Sequence, residues 1–536
     1  MNLPVPSLRL GPGVDPGTAD LRRLVDDRFA GRLFAKDATL WGEAARPEAA
    51  QRLGWIDACT RGDAVVDEAE ALRAELSARG VDRVVLCGMG GSSLAPEVIC
   101  HRDWAPLTVV DSTHPAEIAR ALLDLDRTAV VVSSKSGTTV ETRSQLTAFE
   151  AAFAAAGIDA AERIAVVTDP GSELDSHARE RGYRVFLADP QVGGRYSALT
   201  EFGLVPSVLA GADVRSLLAE AAAAAAALSA DSEENPALRL AAALAAALPR
   251  RYLCGVFESQ VRGTPLADWI EQLIAESTGK DGAGVLPIAL PADAPELRGA
   301  LPGHELLVEL RPDPGPDEGR PDTLTVSGPL GGHFLLWEVA TAALCRLIGV
   351  NPFDQPDVEA AKAAARALLD AAGTDGSSIG DVEDGVHRPD PEDLVAQLRA
   401  ALEPDGYLAI QAYLDRRTDA PLAELRGALV KALGVPVALG FGPRYLHSTG
   451  QFHKGGPKRG VFLQILDTTP AVIAEAAPLD GASAAAESSG TVLGTDFSAL
   501  ISAQARGDRQ VLAALGRPVF SIMENQVEAL LATLRR

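Results

Sequence analysis

The stretch SSKSGTTVET (133–142) sets the hydroxyls of Ser133, Ser134, Ser136, Thr138, Thr139 and Thr142 around one ammonium, Lys135. It follows the apolar run AVVV, so the hydroxyls sit where a buried strand turns toward a helix. There, several hydroxyls and free backbone N–H groups can converge on one phosphate, with Lys135 as a point charge. Helix capping is the competing reading for any single one of them. A second loop, GMGGSSLAPEV (88–98), also joins a strand to a helix, where the helix dipole favours an anion and glycines let the backbone approach closely. As a dinucleotide fingerprint it has Gly88 and Gly90 in place and Asp111 at the end of the next strand, but Ser93 stands at the third glycine. The phosphate-loop reading is therefore preferred, and Asp111 is read as opening a turn or capping a helix.

Such loops need a scaffold. VDRVVLCGM, PLTVVDST, TAVVVSS, RIAVVTD and YRVFLA read as five short buried strands separated by helical or loop segments over roughly 81–190, which predicts a doubly wound parallel sheet. Ligands of such sheets sit at the carboxyl ends of strands. The alanine-rich stretch 221–247 predicts two helices parted at Asp231–Pro236. A second strand-and-helix unit starts near RYLCGVFES, passes HELLVEL and reaches FLLWEVATAALCRLIGV. The polar residues 373–392 predict a long surface loop. Beyond them GYLAIQAYL, PVALGFG and GVFLQIL are expected to extend the second sheet. The expected organisation is an N-terminal helical region over 1–75, α/β units over 76–230 and 231–365, and a C-terminal segment over 366–536.

Bulk properties exclude several classes of function. A chain of 536 residues can bury several cores. A mean hydropathy of +0.08, with no long apolar span, predicts no membrane association. A net charge of −24 disfavours nucleic acid and anionic membrane at long range, so an anionic ligand needs a local cluster of donors. The N-terminus reads as no secretion signal, and the dispersed Cys59, Cys87, Cys100, Cys254 and Cys345 predict a reduced, cytoplasmic setting without a metal site.

Taken with GMGGSSLAPEV, GGRYSALTEFGLVP (193–206) and IAESTGK (274–280), SSKSGTTVET resembles the glucose-6-phosphate isomerase family, built of sugar isomerase domains. LWEVATAALCRLIGVNPFDQPDVE (336–359) extends the likeness. It is closest to the bacterial form also found fused behind a transaldolase, although this chain is too short for that extra barrel. The resemblance implies two doubly wound α/β sugar isomerase domains with additional helices. It implies reversible aldose–ketose isomerisation of glucose 6-phosphate and fructose 6-phosphate through an enediolate, in glycolysis and gluconeogenesis. No cofactor or metal is needed, the partner is a hexose 6-phosphate, and a homodimer is suggested. A glucose/mannose-6-phosphate isomerase and a non-catalytic sugar-phosphate regulator are the alternatives; the regulator would not need Glu276 and Arg195 together.

Position alone makes Glu276 a helix-surface carboxylate; the resemblance makes it the base. Arg195, behind Gly193 and Gly194, is either a surface ion-pair partner or, by resemblance, the group that stabilises the enediolate. Gly91, Ser92, Ser134, Lys135, Ser136, Thr139 and Gly194 are expected to hold substrate. The family's ring-opening histidine follows a GTNGQ-like stretch soon after the catalytic glutamate, and none stands there. HSTGQFHKGGP (447–457) is similar to that loop displaced toward the C-terminus, which makes His453 the first choice and His447 the second. Gln451 then becomes a substrate ligand and Lys454 the substrate-facing lysine, against the plainer reading of a solvated loop lysine. His333, in GGHFLLWE, is a third candidate that equally fits a helix start.

Overall fold

The computed structural model describes residues 4–536 apart from 260–264, 302, 304, 316–319, 358–388, 468–490 and 493–494. Most of the 373–392 loop and the end of the 336–359 motif therefore lie outside the described residues, and 391–392 open the helix Pro391–Ala401.

In chain order the strands are β1 (Ser7–Leu10), β2 (Arg83–Gly88), β3 (Leu107–Val110), β4 (Thr128–Ser133), β5 (Ile164–Thr168) and β6 (Arg184–Leu187). They continue with β7 (Leu253–Glu258), β8 (Leu286–Ala289), β9 (Leu306–Arg311) and β10 (Thr323–Ser327). The last are β11 (Tyr407–Tyr413), β12 (Val437–Phe441), β13 (Gly460–Leu466), a short β14–β15 hairpin (Thr491–Val492 with Thr495–Asp496) and β16 (Val519–Met523).

The five strands expected over 81–190 form one parallel sheet in the order β3-β2-β4-β5-β6. β2 and β4 are buried along nearly their whole length, as continuous Val-rich runs covered on both faces must be. The chain reverses its direction of winding between them, so the loops after β2 and β4 flank the crevice where such sheets take ligands. The two expected alanine-rich helices are Val214–Leu228 and Pro236–Ala247, the second capped by Asn235, whose side chain accepts from the N–H of Ala237 and Leu238. Both pack on the buried helix Leu330–Ile348.

The second sheet runs β1-β10-β9-β7-β8, with β1 antiparallel on an otherwise parallel set. The N-terminal region is thus not helical alone: SLRL crosses to the second sheet and covers its β10 edge. The C-terminal strands do not extend that sheet, contrary to expectation. They build a third, all-parallel one, β12-β11-β13-β16. Their ladder groups are satisfied by winding among themselves, around a core that includes Leu408, Ile410, Leu425, Val437 and Leu463.

Candidate active site

A cavity of about 720 Å³ opens at the carboxyl ends of β2 and β4, and helices and loops of the units built on the second and third sheets complete its wall. The first sheet supplies the two loops read from the sequence, with Gly91, Ser92, Ser134, Lys135, Ser136 and Thr139 on the lining. Backbone packing explains the glycines. A Cβ on Gly91 would stand 2.0 Å from the carbonyl oxygen of Gly194, so the loop after β2 lies directly against the turn carrying Gly194 and Arg195. Gly137 adopts φ +71°, and a side chain there would meet the backbone N of Leu174 at 2.6 Å.

Within the hydroxyl loop, Ser134 donates to Thr139 (3.2 Å) and accepts from the N–H of Gly137 (3.2 Å), while Ser136 and Thr138 share a 2.9 Å bond. The hydroxyls are thus turned toward one another around the cavity wall. Lys135 is bound to Asp169 at 2.6 Å. Burial pushes the Asp169 carboxyl up, against the pull of that ammonium.

Opposite stands the helix Leu266–Thr278, which ends at Gly279 and brings Gln272 and Glu276 to the cavity, one turn apart on the same face. Glu276 Oε1 accepts from Arg195 Nη1 at 2.9 Å, and Oε2 accepts from Gln272 Nε2 at 3.2 Å. Both members of the ion pair are buried, the arginine side chain 5% and the glutamate 9% exposed. Arg195 is fixed further by bonds to Ser277 Oγ (2.9 Å) and to the carbonyls of Pro352 (2.7 Å) and Asp354 (2.9 Å), which leaves one Nη1 hydrogen for a ligand. Those carbonyls belong to the segment whose Phe353, Asp354, Gln355 and Pro356 also line the cavity. Lys280, the last residue of ESTGK, fastens the same segment through Asp354 (2.6 Å) and the carbonyl of Asn351. Burial, then the nearby guanidinium of Arg195, lowers the Lys280 pKa.

The third unit delivers His447 and Lys454. His447 Nε2 lies 3.1 Å from Glu141 Oε1, which also accepts from Gln504 Nε2 (2.8 Å); Gln504 in turn accepts from Thr113 (2.7 Å). Lys454 Nζ is 2.5 Å from Asp508 Oδ1.

Two expected ligands fall elsewhere. His453 is not on the cavity: it lies among aromatic rings, stacked on Tyr407 and edge-on to Phe462, with Nδ1 2.9 Å from the Tyr407 hydroxyl. Successive helix residues point about 100° apart, so where Lys454 faces the cavity its neighbour faces the core. Burial, with Lys454 and Arg517 adding repulsion, drives the His453 pKa well below its ordinary value and keeps the ring neutral. Gln451 is also off the lining; it bridges the Gly279 carbonyl (3.0 Å) and Asp357 Oδ2 (2.6 Å). His333 is buried at the start of its helix beside the Arg311 carbonyl, its pKa lowered to about 4 by burial. Asp111 neither opens a turn nor caps the next helix, whose cap is His114. It is fully buried and ion-paired to Arg444 and Arg416, with no carboxylate oxygen facing a nucleotide crevice.

Glu141 and Gln272 were not singled out from the sequence. An acidic residue in the first turn of a helix reads as a partner for its dipole, which hides a role for Glu141. The four-residue spacing of Gln272 and Glu276 was the available signal for the other.

A parallel-sheet crevice lined by a hydroxyl loop, with a buried carboxylate–guanidinium pair and a histidine–carboxylate pair around it, defines an α/β protein with a site suited to a phosphate-bearing ligand and to acid–base chemistry. The phosphoglucose isomerase family model matches residues 70–282. A probable glucose-6-phosphate isomerase of Haloquadratum walsbyi is 31% identical over 53% of this chain and 79% of its own length. One of Haloarcula marismortui is 30% identical over 63% and 87%. Among solved structures, a hypothetical protein of Thermus thermophilus is 28% identical with a TM-score of 0.58, covering 68% of this chain and 99% of its own. A Chlamydia trachomatis glucose-6-phosphate isomerase, 20% identical with a TM-score of 0.50 over 65% and 78%, shares the fold. The chain belongs to the phosphoglucose isomerase family.

Proposed function

We infer that the protein interconverts glucose 6-phosphate and fructose 6-phosphate. The observation that carries the chemistry is the Glu276–Arg195 pair at 2.9 Å in the wall of a cavity shared with the hydroxyl loop. In this reading Ser134, Thr139, Ser92 and the backbone of Lys135 and Ser136 hold the phosphate. His447, held through one ring nitrogen by Glu141, offers the other to the sugar and takes and returns the proton as the ring opens. Glu276 removes the proton from C2 of the open aldose and returns it to C1. Between these steps charge develops on the enediolate oxygens, where the free Nη1 hydrogen of Arg195 and the Lys454 ammonium supply fixed positive charge. All of this is acid–base work by the chain's own residues.

Among the described residues no helix is long and apolar enough to cross a membrane. The proposed compartment is the cytoplasm, in keeping with five buried, unpaired cysteines; the proposed assembly is a homodimer. Purified protein should convert fructose 6-phosphate to glucose 6-phosphate, read by coupling the product to an NADP-linked dehydrogenase. Binding of hexose 6-phosphates without turnover would instead favour the regulator reading. Mannose 6-phosphate as a further product would broaden the assignment.

A further inference from the structure

Asp111, directly after β3, is a carboxylate at the junction of the first and third sheets with none of its surface exposed. Two arginines reach it from the loops that leave the carboxyl ends of β11 and β12. Arg444 donates from Nη1 to Asp111 Oδ2 at 2.5 Å and from Nη2 to Glu97 Oε2 at 2.8 Å. Arg416 Nη2 stands 3.3 Å from Asp111 Oδ1, and Ser93 Oγ donates to Oδ2 at 3.2 Å. Burial alone would push the Asp111 carboxyl up; the two guanidinium groups outweigh it and hold it below its ordinary range.

What this cluster anchors is specific. Arg444 and His447 are the first and last residues of one 3₁₀ turn, Arg444–His447. Three residues at about 2 Å rise each put their Cα atoms roughly 6 Å apart along one short, stiff element, with the two side chains leaving the same side of it. The arginine end is tied to Asp111 and Glu97, and the histidine end meets Glu141 at 3.1 Å on the cavity wall. Arg444 thus grips two carboxylates of the first sheet's unit with one planar fork, a geometry that fixes angle as well as distance. Among the described residues Arg444 and His447 make the turn's side-chain bonds to the hydroxyl-loop unit; Tyr445 between them bonds to Asp508 and Tyr413, and the His447 carbonyl accepts from Gln272 Nε2 at 2.8 Å.

We propose that Asp111 is a positioning residue for ring opening: through Arg444 it fixes the turn that delivers His447 to the sugar. The proposal rests on the reading of His447 given above. A carboxylate that merely glued two units together would affect every step alike; one that acts through His447 affects only the step His447 performs.

The test compares fructose 6-phosphate, which is cyclic, with 5-deoxyfructose 6-phosphate, which lacks the hydroxyl that closes the ring. Turnover is followed on the first and solvent-deuterium incorporation at C1 on both. Asp111→Asn should slow fructose 6-phosphate by about 10- to 100-fold, the scale expected for a displaced catalytic group, while exchange into the deoxy analogue stays within about threefold of the parent. In a His447→Ala background the same substitution should add less than about threefold, because a residue acting only through His447 has nothing left to position. Arg444→Lys keeps a buried cation but cannot hold Asp111 and Glu97 together; it should show the same selectivity, and it decides the matter if Asp111→Asn does not fold. Equal losses on both substrates, or losses that multiply with His447→Ala, overturn the positioning role while leaving His447 as the ring opener. Full turnover of fructose 6-phosphate by His447→Ala removes the reading of His447, and the positioning role with it.

Discussion

Removing the Ser134 and Thr139 hydroxyls together tests the phosphate cradle. These groups bond to each other at 3.2 Å, and Ser134 also receives the Gly137 N–H at 3.2 Å. A bound phosphate replaces that long neutral bond with two charge-assisted ones. Each is worth about 1.5 to 3 kcal/mol, and the bond given up costs about 1 kcal/mol, so the net gain is roughly 2 to 5 kcal/mol. Backbone N–H groups of the loop stay in the double variant and favour the lower end. Ser134→Ala with Thr139→Ala should therefore weaken glucose 6-phosphate binding at least about 30-fold. Titration calorimetry in a Glu276→Gln background, where turnover does not interfere, measures this directly. An affinity within about threefold of the parent would refute the cradle.

The remaining predictions concern the buried charges around the cavity. Asp508→Asn strands the Lys454 ammonium, 1% exposed and paired at 2.5 Å; breaking such a pair costs about 3 to 5 kcal/mol, so the urea midpoint should fall, and an unchanged midpoint would contradict the pairing. His453→Ala should cost stability through the lost Tyr407 contact and leave the ratio of cyclic to acyclic turnover unchanged; a selective loss on the cyclic sugar would restore it as the ring opener. His333 is held neutral, with a pKa of about 4 against 6.5 when unfolded. The unfolded chain therefore binds the extra proton between those values, and stability falls as pH drops through that window. Between pH 7 and 5 the parent should lose about 2 kcal/mol more than His333→Gln in urea unfolding; equal losses would refute it.

Local order made much of this legible in the sequence. The Val-rich runs of β2, β4 and β5 name their own strands because burial on both faces demands continuous apolar residues. The loops after β2 and β4 announce themselves by composition. What depends on distant partners was not legible. SLRL is four residues long, and nothing in it says that it pairs with β10; nor do the C-terminal strands carry any mark that they pair with one another and not with the second sheet. HSTGQFHKGGP offers two histidines, and only the packing of Tyr407 and Phe462 decides that His453 turns inward while His447 meets Glu141. Asp111 stood at a position suited to a nucleotide ribose; its partners, Arg416 and Arg444, lie some three hundred residues away.

The most direct measurement is solvent-deuterium exchange at C2 of glucose 6-phosphate, followed alongside isomerisation in Glu276→Gln. The amide keeps the size of the side chain and its reach to Gln272 but cannot accept the carbon-bound proton. Loss of general-base catalysis predicts that both rates fall together by at least about 10²-fold, with glucose 6-phosphate still bound and unfolding still cooperative. Retention of substantial isomerisation by the folded variant, or exchange that persists after isomerisation is lost, would show that another group moves the proton and that Glu276 only pairs with Arg195.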